Sequence, residues 1–189
     1  TASILDPNPV VFLEHRWLHN SFGKFPNKLK KNQLGKCQIL KKGKDITLIG
    51  LSYMTLECIE AAKILSKFKI NAEILDLKTV SPLDQKTIIS SLKKTRRALV
   101  ADTSNNFCGI SSTVASIIYQ NINNLKNKVE IISLPFCPEP TSFQLVKYFY
   151  NDRYTIVNKV LKMFKINKKI QGKKSVKPDV PGEWFKGPF

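Results

Sequence analysis

Few side chains in this 189-residue sequence have the types and spacing that chemistry requires. The only histidines, His15 and His19, are close neighbours, so they cannot serve two separate sites. A zinc site needs closely spaced cysteines and histidines, and a hydrolase needs a nucleophile beside a base. No pair of cysteines has zinc-ligand spacing, and no histidine lies near a cysteine; the cysteines are Cys37, Cys58, Cys108 and Cys137. We therefore predict no catalytic set, no cofactor-binding residue and no metal site.

Three aspartates, Asp76, Asp84 and Asp102, lie at or just past the ends of predicted strands. Sites in α/β folds occupy such positions, but so do helix caps. Capping is favoured, with Asp84 as the N-cap of a helix. The turn over residues 50–55 could hold an anion at a helix N-terminus, yet neither glycine-rich phosphate motif is present, so this reading is weak.

From Cys37 onward, short β-rich runs alternate with helical apolar stripes. The first helical stripe predicts a helix with Cys58 on its apolar face and with Glu57 and Glu60 on its polar face. Such alternation predicts an α/β fold with a mostly parallel sheet and helices on both faces. The predicted strands cover residues 37–42 at an edge, 46–50, 72–77, 98–101 and 129–134.

The first twenty residues contain one isolated apolar run, Val10-Val11-Phe12-Leu13. A continuous apolar run of this length predicts a buried strand. We expect this strand to end beside His15, which would then face a crevice at a domain or subunit junction.

The net charge of +17, from 31 basic and 14 acidic residues, raises a polyanion partner as a question. Residues 24–44 hold eight lysines and residues 162–177 hold seven, with no acid in either segment, so the rest of the chain carries 17 − 15 = +2. We interpret the two segments as solvated linkers in a lysine-rich composition. Nucleic-acid binding is therefore not favoured.

Four cysteines without a secretory segment indicate thiols in a reducing compartment, so we predict a cytoplasmic protein. No apolar run approaches the length of a membrane span, and we expect no membrane partner. Because the chain begins at Thr1 and enters an apolar run almost at once, we expect a piece of a longer polypeptide.

Several strings resemble one known family, the beta subunits of the decarboxylating component of 2-oxo acid dehydrogenases. The resemblance runs in order through residues 4–165. It is carried by DPNPVVFLEHR at 6–16, GKC at 35–37, GKDITLI at 43–49, DLKTVSPLD at 76–84 and GIS at 109–111. One departure is Ala101-Asp102-Thr103, where the family often has two glutamates.

The resemblance implies a three-layer α/β/α sandwich on a five-stranded, mostly parallel sheet with one antiparallel edge strand. Residues 1–20 would end a pyrimidine-binding domain, 21–35 would be a linker, 36–166 a transketolase-type C-terminal domain, and 167–189 a basic and aromatic tail. Thiamine diphosphate and Mg would bind outside this chain. Alone, the chain would be catalytically silent.

The resemblance further implies an alpha subunit, a second beta subunit and a lipoyl carrier protein as partners. The intact enzyme would decarboxylate a 2-oxo acid and pass the acyl group to the lipoyl carrier. Two alternatives stay open: the C-terminal domain of 1-deoxyxylulose-5-phosphate synthase or transketolase, and a non-catalytic assembly or polyanion-binding module. Candidates for the active-site approach or a subunit interface are His15, Arg16, Asp76, Pro82, Asp84, Trp184 and Phe185.

Overall fold

A computed structural model describes residues 2–15, 18–19 and 34–172. Strands and helices alternate along them, as the sequence predicted. In chain order the elements are β1 (Gln38–Lys41), β2 (Ile46–Gly50), α1 (Tyr53–Ser66), β3 (Ala72–Asp76), α2 (Gln85–Thr95), β4 (Ala98–Asn105), α3 (Ile110–Asn121), β5 (Glu130–Leu134), α4 (Phe143–Phe149) and α5 (Arg153–Met163).

The five strands form one sheet in the order β1-β3-β2-β4-β5. Strand β1 pairs antiparallel with β3, and the pairs β2–β3, β2–β4 and β4–β5 are parallel. Every residue of β2 is buried, because this strand lies at the centre of the sheet. The predicted mostly parallel sheet with one antiparallel edge strand is confirmed.

Two apolar clusters cover the opposite faces of the sheet. Because side chains alternate along a strand, Leu48 of β2 packs on one face, while its neighbour Ile49 packs on the other. The first cluster takes its helical residues from α1 and α5, and the second from α2 and α3. These layers confirm the predicted α/β/α sandwich.

The strand predicted at Val10–Leu13 is wrong. These residues have no regular secondary structure, and their side chains are exposed, up to 90% for Leu13. A strand needs a neighbour to receive its backbone hydrogen bonds, and none of the described strands pairs with this segment. His15 consequently does not end a buried strand.

The two lysine-rich segments, residues 24–44 and 162–177, are also not simply linkers. Lys41 belongs to β1, and its Nζ donates to Asn71 Oδ1 at 3.1 Å and to the Ala72 carbonyl at 2.9 Å. Past α5 the chain folds back on the domain, where the Asn158 side chain exchanges hydrogen bonds of 2.9 and 2.8 Å with the backbone of Ile170. Part of each segment is therefore built into the fold.

The helices of the described residues do not combine the length and the apolar character that crossing a membrane would require.

Candidate functional site

The four parallel strands end at one edge of the sheet, where α/β folds place their sites. Their last residues are Gly50, Asp76, Asn105 and Leu134. Two polar clusters occupy the part of this edge that β2 and β3 form. A pair of exposed aromatic loops occupies the part that β4 and β5 form.

The first cluster is centred on Glu57, which is fully buried although the sequence placed it on the polar face of α1. Tyr53 donates its hydroxyl to Glu57 Oε1 at 2.7 Å. Arg153, at the start of α5, donates its Nε to Oε2 at 3.0 Å, its Nη2 to Oε1 at 2.9 Å and its backbone N–H to Oε2 at 2.7 Å. The ion pair explains the burial, because a charged side chain enters a protein interior only with a partner.

His15 lies on this cluster. Its ring stacks on the ring of Tyr53, with centroids 5.5 Å apart and planes inclined by 21°. The next turn brings Leu18 against the apolar cluster of α1 and α5, and His19 Nε2 lies 2.8 Å from Glu14 Oε2. The segment before residue 20 therefore docks at the N-terminal end of α1 through side chains rather than through a strand.

The surroundings set the protonation states of this cluster. Burial lowers the pKa of His15, which keeps its imidazole neutral at pH 7. Burial first, and then the charge of Glu57, raise the pKa of the Tyr53 hydroxyl. Burial alone would lower the pKa of Arg153, but the Glu57 carboxylate outweighs it and raises that pKa. The cluster thus combines a neutral imidazole, a protonated phenol and a fixed ion pair.

The second cluster is built around Asp84, the predicted N-cap of α2. Its carboxylate accepts from Thr87 N at 3.2 Å and Thr87 Oγ1 at 2.7 Å, and from Cys37 N at 3.2 Å. Burial would raise the pKa of Asp84, but these hydrogen bonds outweigh it and lower that pKa. The capping prediction is confirmed for Asp84 but is wrong for Asp76 and Asp102, because the N-caps of α1 and α3 are Ser52 and Gly109. The Asp84 carboxylate also ties β1 to α2.

The loop between β3 and α2 contacts Gly35, which lies just before β1. Gly35 N donates to Thr79 Oγ1 at 3.0 Å, and a Cβ on Gly35 would lie 2.8 Å from Pro82 Cγ. Gly35 has a φ of +73°, which glycine adopts without strain. Burial, followed by the charges of Asp84 and Asp76, raises the pKa of Cys37 to about 11, so its thiol stays protonated.

Two further acids at this edge, Asp76 and Asp102, also accept hydrogen bonds from neighbouring residues. Asp76 Oδ1 accepts from Thr55 Oγ1 and from Lys78 N, both at 3.3 Å. Asp102 accepts from the backbone N–H of Ser104 at 3.0 Å and from its hydroxyl. Among the residues that the structure describes, no three or more His, Cys, Asp or Glu side chains could hold a metal ion together.

The structure thus brings three of the predicted site residues together and sets a fourth apart. Asp76, Pro82 and Asp84 surround the chain at residues 35–38, whereas His15 lies on Tyr53. The first turn of α1 connects the two places, since it carries both Tyr53 and Thr55. Arg16, Trp184 and Phe185 lie outside the described residues.

Sequence reasoning missed Tyr53, Glu57 and Arg153. The spacing of Tyr53 and Glu57 could have indicated their contact, because residues four apart lie on the same face of a helix. Their partner Arg153 lies 96 residues after Glu57, and no local pattern indicates a pairing over that distance.

Comparison with known proteins agrees with this architecture. A family model described as the C-terminal domain of transketolase matches residues 35–156. The solved structure of a split gene transketolase, an inactive beta4 tetramer, has a TM-score of 0.63 at 23% identity and covers 76% of this chain and 47% of that chain. At this identity the likeness shows the fold alone.

Curated relatives narrow the family further. The pyruvate dehydrogenase E1 component subunit beta of Rickettsia bellii is 35% identical over 163 residues, which are 86% of this chain and 50% of that protein. The acetoin:2,6-dichlorophenolindophenol oxidoreductase subunit beta of Cupriavidus necator is 35% identical over 141 residues, or 74% of this chain and 42% of that protein. The chain spans about half the length of these relatives. It therefore belongs to the transketolase C-terminal domain family, and its domain is of the type carried by 2-oxo acid dehydrogenase beta subunits.

Proposed function

We propose that this chain supplies the assembly-forming C-terminal part of a thiamine diphosphate-dependent 2-oxo acid dehydrogenase beta subunit. The intact enzyme decarboxylates a 2-oxo acid and passes the acyl group to a lipoyl carrier protein. In this proposal the 189 residues are catalytically silent by themselves. Their work is to hold subunits together and to shape the approach to an active site formed elsewhere.

The hydrogen-bond and ion-pair partners of four acidic side chains support this proposal. General acid–base catalysis needs a carboxyl or an imidazole that can reach a substrate. Glu57 is paired with Arg153, Asp84 caps α2, and Asp76 and Asp102 accept hydrogen bonds within their own turns. These carboxylates stabilise the domain instead of facing a substrate.

The described residues do not fit the cofactor that the resemblance implies. A diphosphate and its Mg²⁺ need oxygen ligands gathered at one place. Residues 2–15, 18–19 and 34–172 bring together no three His, Cys, Asp or Glu side chains that could hold a metal ion. We propose that thiamine diphosphate and Mg bind to parts of the enzyme outside this chain.

The exposed run at Val10–Leu13 supports the proposed assembly. Four successive apolar side chains, between 45% and 90% exposed, are costly to leave in water. We propose that residues 1–20 complete a pyrimidine-binding domain, and that the finished subunit joins an alpha subunit and a second beta subunit in the cytoplasm. We propose that the domain extends past residue 166, because Ile166 and Ile170 pack on its apolar cluster and Ile170 N donates to Asn158 Oδ1 of α5.

His15 and the loop carrying Asp76, Pro82 and Asp84 are the proposed contributors to the active-site approach. They lie at the edge of the sheet where such sites occur, and the stacking on Tyr53 fixes the ring of His15. Arg16 follows His15 directly in the sequence and is proposed with it. Trp184 and Phe185 are proposed as anchors on a neighbouring subunit, because aromatic residues are enriched at protein interfaces.

The experiment that tests this function is a decarboxylation assay on the 189-residue chain with pyruvate, thiamine diphosphate, Mg²⁺ and an artificial electron acceptor. We expect no turnover above the blank. Thiamine-dependent turnover by the purified chain would contradict the proposal. The coding sequence upstream of Thr1 gives a second test: an open reading frame for a further domain supports the proposal, and an immediate stop codon with no such frame beside it counts against it.

A further inference from the structure

The loops that follow β4 and β5 leave the sheet side by side. Asn105, the last residue of β4, pairs with Leu134, the last residue of β5, and Asn106 N donates to the Leu134 carbonyl at 3.1 Å. Two residues beyond this pair, the rings of Phe107 and Phe136 lie in contact, with centroids 5.4 Å apart. The two loops therefore start side by side and are in contact again two residues past the strand ends.

Each phenylalanine is followed by a cysteine. Cys108 and Cys137 are each three residues past the paired residues Asn105 and Leu134, so they occupy matching positions in the two loops. Both side chains are exposed and both thiols are free. No part of the proposed assembly function uses them.

Hydrogen bonds to backbone carbonyls also restrain the first residues of both loops. Ser112 Oγ donates to the Asn106 carbonyl at 2.8 Å, and Cys137 N donates to the Pro135 carbonyl at 2.9 Å. A Cβ on Gly109 would lie 2.1 Å from the Asn105 carbonyl oxygen, so the chain after Cys108 turns tightly back on β4. These contacts restrain the backbone close to each thiol.

Adjacent strands lie about 4.8 Å apart, and a disulfide joins Cα atoms about 4.4–6.8 Å apart. Asn105 and Leu134 are paired in this way, and Cys108 and Cys137 follow them at equal sequence separation, in loops that the contact between Phe107 and Phe136 joins. We propose that Cys108 and Cys137 form a reversible redox pair, which hydrogen peroxide oxidises to an intramolecular disulfide and a dithiol reduces again. This modification site goes beyond the assembly function proposed above.

The reaction balances without a metal or cofactor. The thiolate of one cysteine attacks the peroxide, whose O–O bond breaks, and this gives a sulfenic acid and water. The thiolate of the second cysteine attacks the sulfenic sulfur, forms the S–S bond and releases a second water. The two sulfur atoms together lose two electrons, and the peroxide gains them.

The other two cysteines provide internal controls. Cys58 is fully buried, and burial raises its pKa. Cys37 is half-buried between β1 and the Asp84 cap, and burial raises its pKa to about 11. Both thiols therefore react slowly with peroxide, because the thiolate is the reactive form.

The test treats the folded full chain with hydrogen peroxide, blocks remaining thiols with iodoacetamide and digests it with trypsin without a reductant. Residues 98–126 and 129–147 form two tryptic peptides, each with one cysteine. We expect these peptides to be joined by a disulfide, with two thiols lost per chain and regained with dithiothreitol. In C108S and C137S the link disappears, while C37S retains it.

A second variant tests the role of the aromatic contact. Phe107→Ala with Phe136→Ala removes the rings that hold the loops together, so we expect disulfide formation to slow by about threefold or more. Independent oxidation of Cys108 and Cys137, links only between chains, or a link that forms only in urea would each overturn the proposal.

Discussion

The two halves of the sheet's carboxyl-terminal edge differ in what they do with their side chains. At the ends of β2 and β3 the polar groups are buried and satisfied: Glu57 pairs with Arg153, and Asp84 caps α2. At the ends of β4 and β5, Phe107 and Phe136 are 67% and 72% exposed beside two free thiols. The first half therefore stabilises the domain, whereas the second half presents exposed aromatic rings and thiols.

The largest effect should come from breaking the ion pair on the first half. Glu57→Gln removes the nearer of two carboxylates beside Arg153 and leaves the more distant Glu60, and we expect a loss of about 3 kcal/mol in the free energy of unfolding. Urea denaturation measures it. Glu60→Gln is the matched control on the same helix, because the Glu60 carboxylate lies farther from Arg153, at 3.9 Å from Nη1, and is more exposed. This variant should lose under about 1 kcal/mol in the free energy of unfolding. Equal losses in both variants would contradict the assigned role of Glu57.

A smaller effect is expected at the cap of α2. Asp84→Asn removes charged hydrogen bonds to Thr87 and Cys37, which should cost about 1–2 kcal/mol at pH 7. Because the folded-state pKa of Asp84 is lowered, its contribution is present above about pH 4 and is lost as the pH falls through the folded pKa. The difference between Asp84→Asn and wild type should therefore shrink below pH 4 in urea titrations. A difference that stays constant down to pH 2 would argue against this origin.

We expect substitutions in the loops after β4 and β5 to have little effect on the free energy of unfolding. Phe136→Ala removes an exposed ring whose described neighbour is Phe107, so we expect it to cost under about 1 kcal/mol. Phe149, which is 7% exposed, provides the contrast, and Phe149→Ala should cost about 3 kcal/mol or more. Thermal unfolding of both variants measures the difference. A large loss from Phe136→Ala would mean that the β4–β5 loops are part of the core.

The smallest effect concerns the docking of His15. Burial lowers the pKa of His15, so its NMR titration midpoint should lie below about 6.5, the usual value for histidine. When the segment carrying His15 leaves α1, His15 regains its usual proton affinity. The docked state therefore loses stability as the pH falls below about 6.5. Tyr53→Leu removes the stacked ring and should move the midpoint towards 6.5. A midpoint at or above 6.5 in the wild type would show that His15 is not held in this position.

Local patterns predicted most of the fold. Strand β2 is bounded as predicted because its apolar residues fill both faces of a central strand. The cap at Asp84 was predictable because capping depends on residues only three positions apart. Strand β4 extends four residues past its apolar run, to Asn105, because the polar end of the strand keeps a partner in β5.

The remaining features depend on contacts between distant parts of the chain. The burial of Glu57 requires Arg153, which lies on another helix. The run Val10–Leu13 has the composition of a strand, but composition cannot state whether a sheet is there to receive it. The aromatic pair of Phe107 and Phe136 follows from the parallel register of β4 and β5, which the sequence does not indicate.

We propose that the buried acids of this domain serve its structure and that thiamine diphosphate binds outside the described residues. Calorimetric titration of the 189-residue chain with thiamine diphosphate and MgCl₂ tests it most directly. We expect no saturable binding. Saturable binding that Asp76→Asn or Asp102→Asn weakens, without loss of folding, would contradict it.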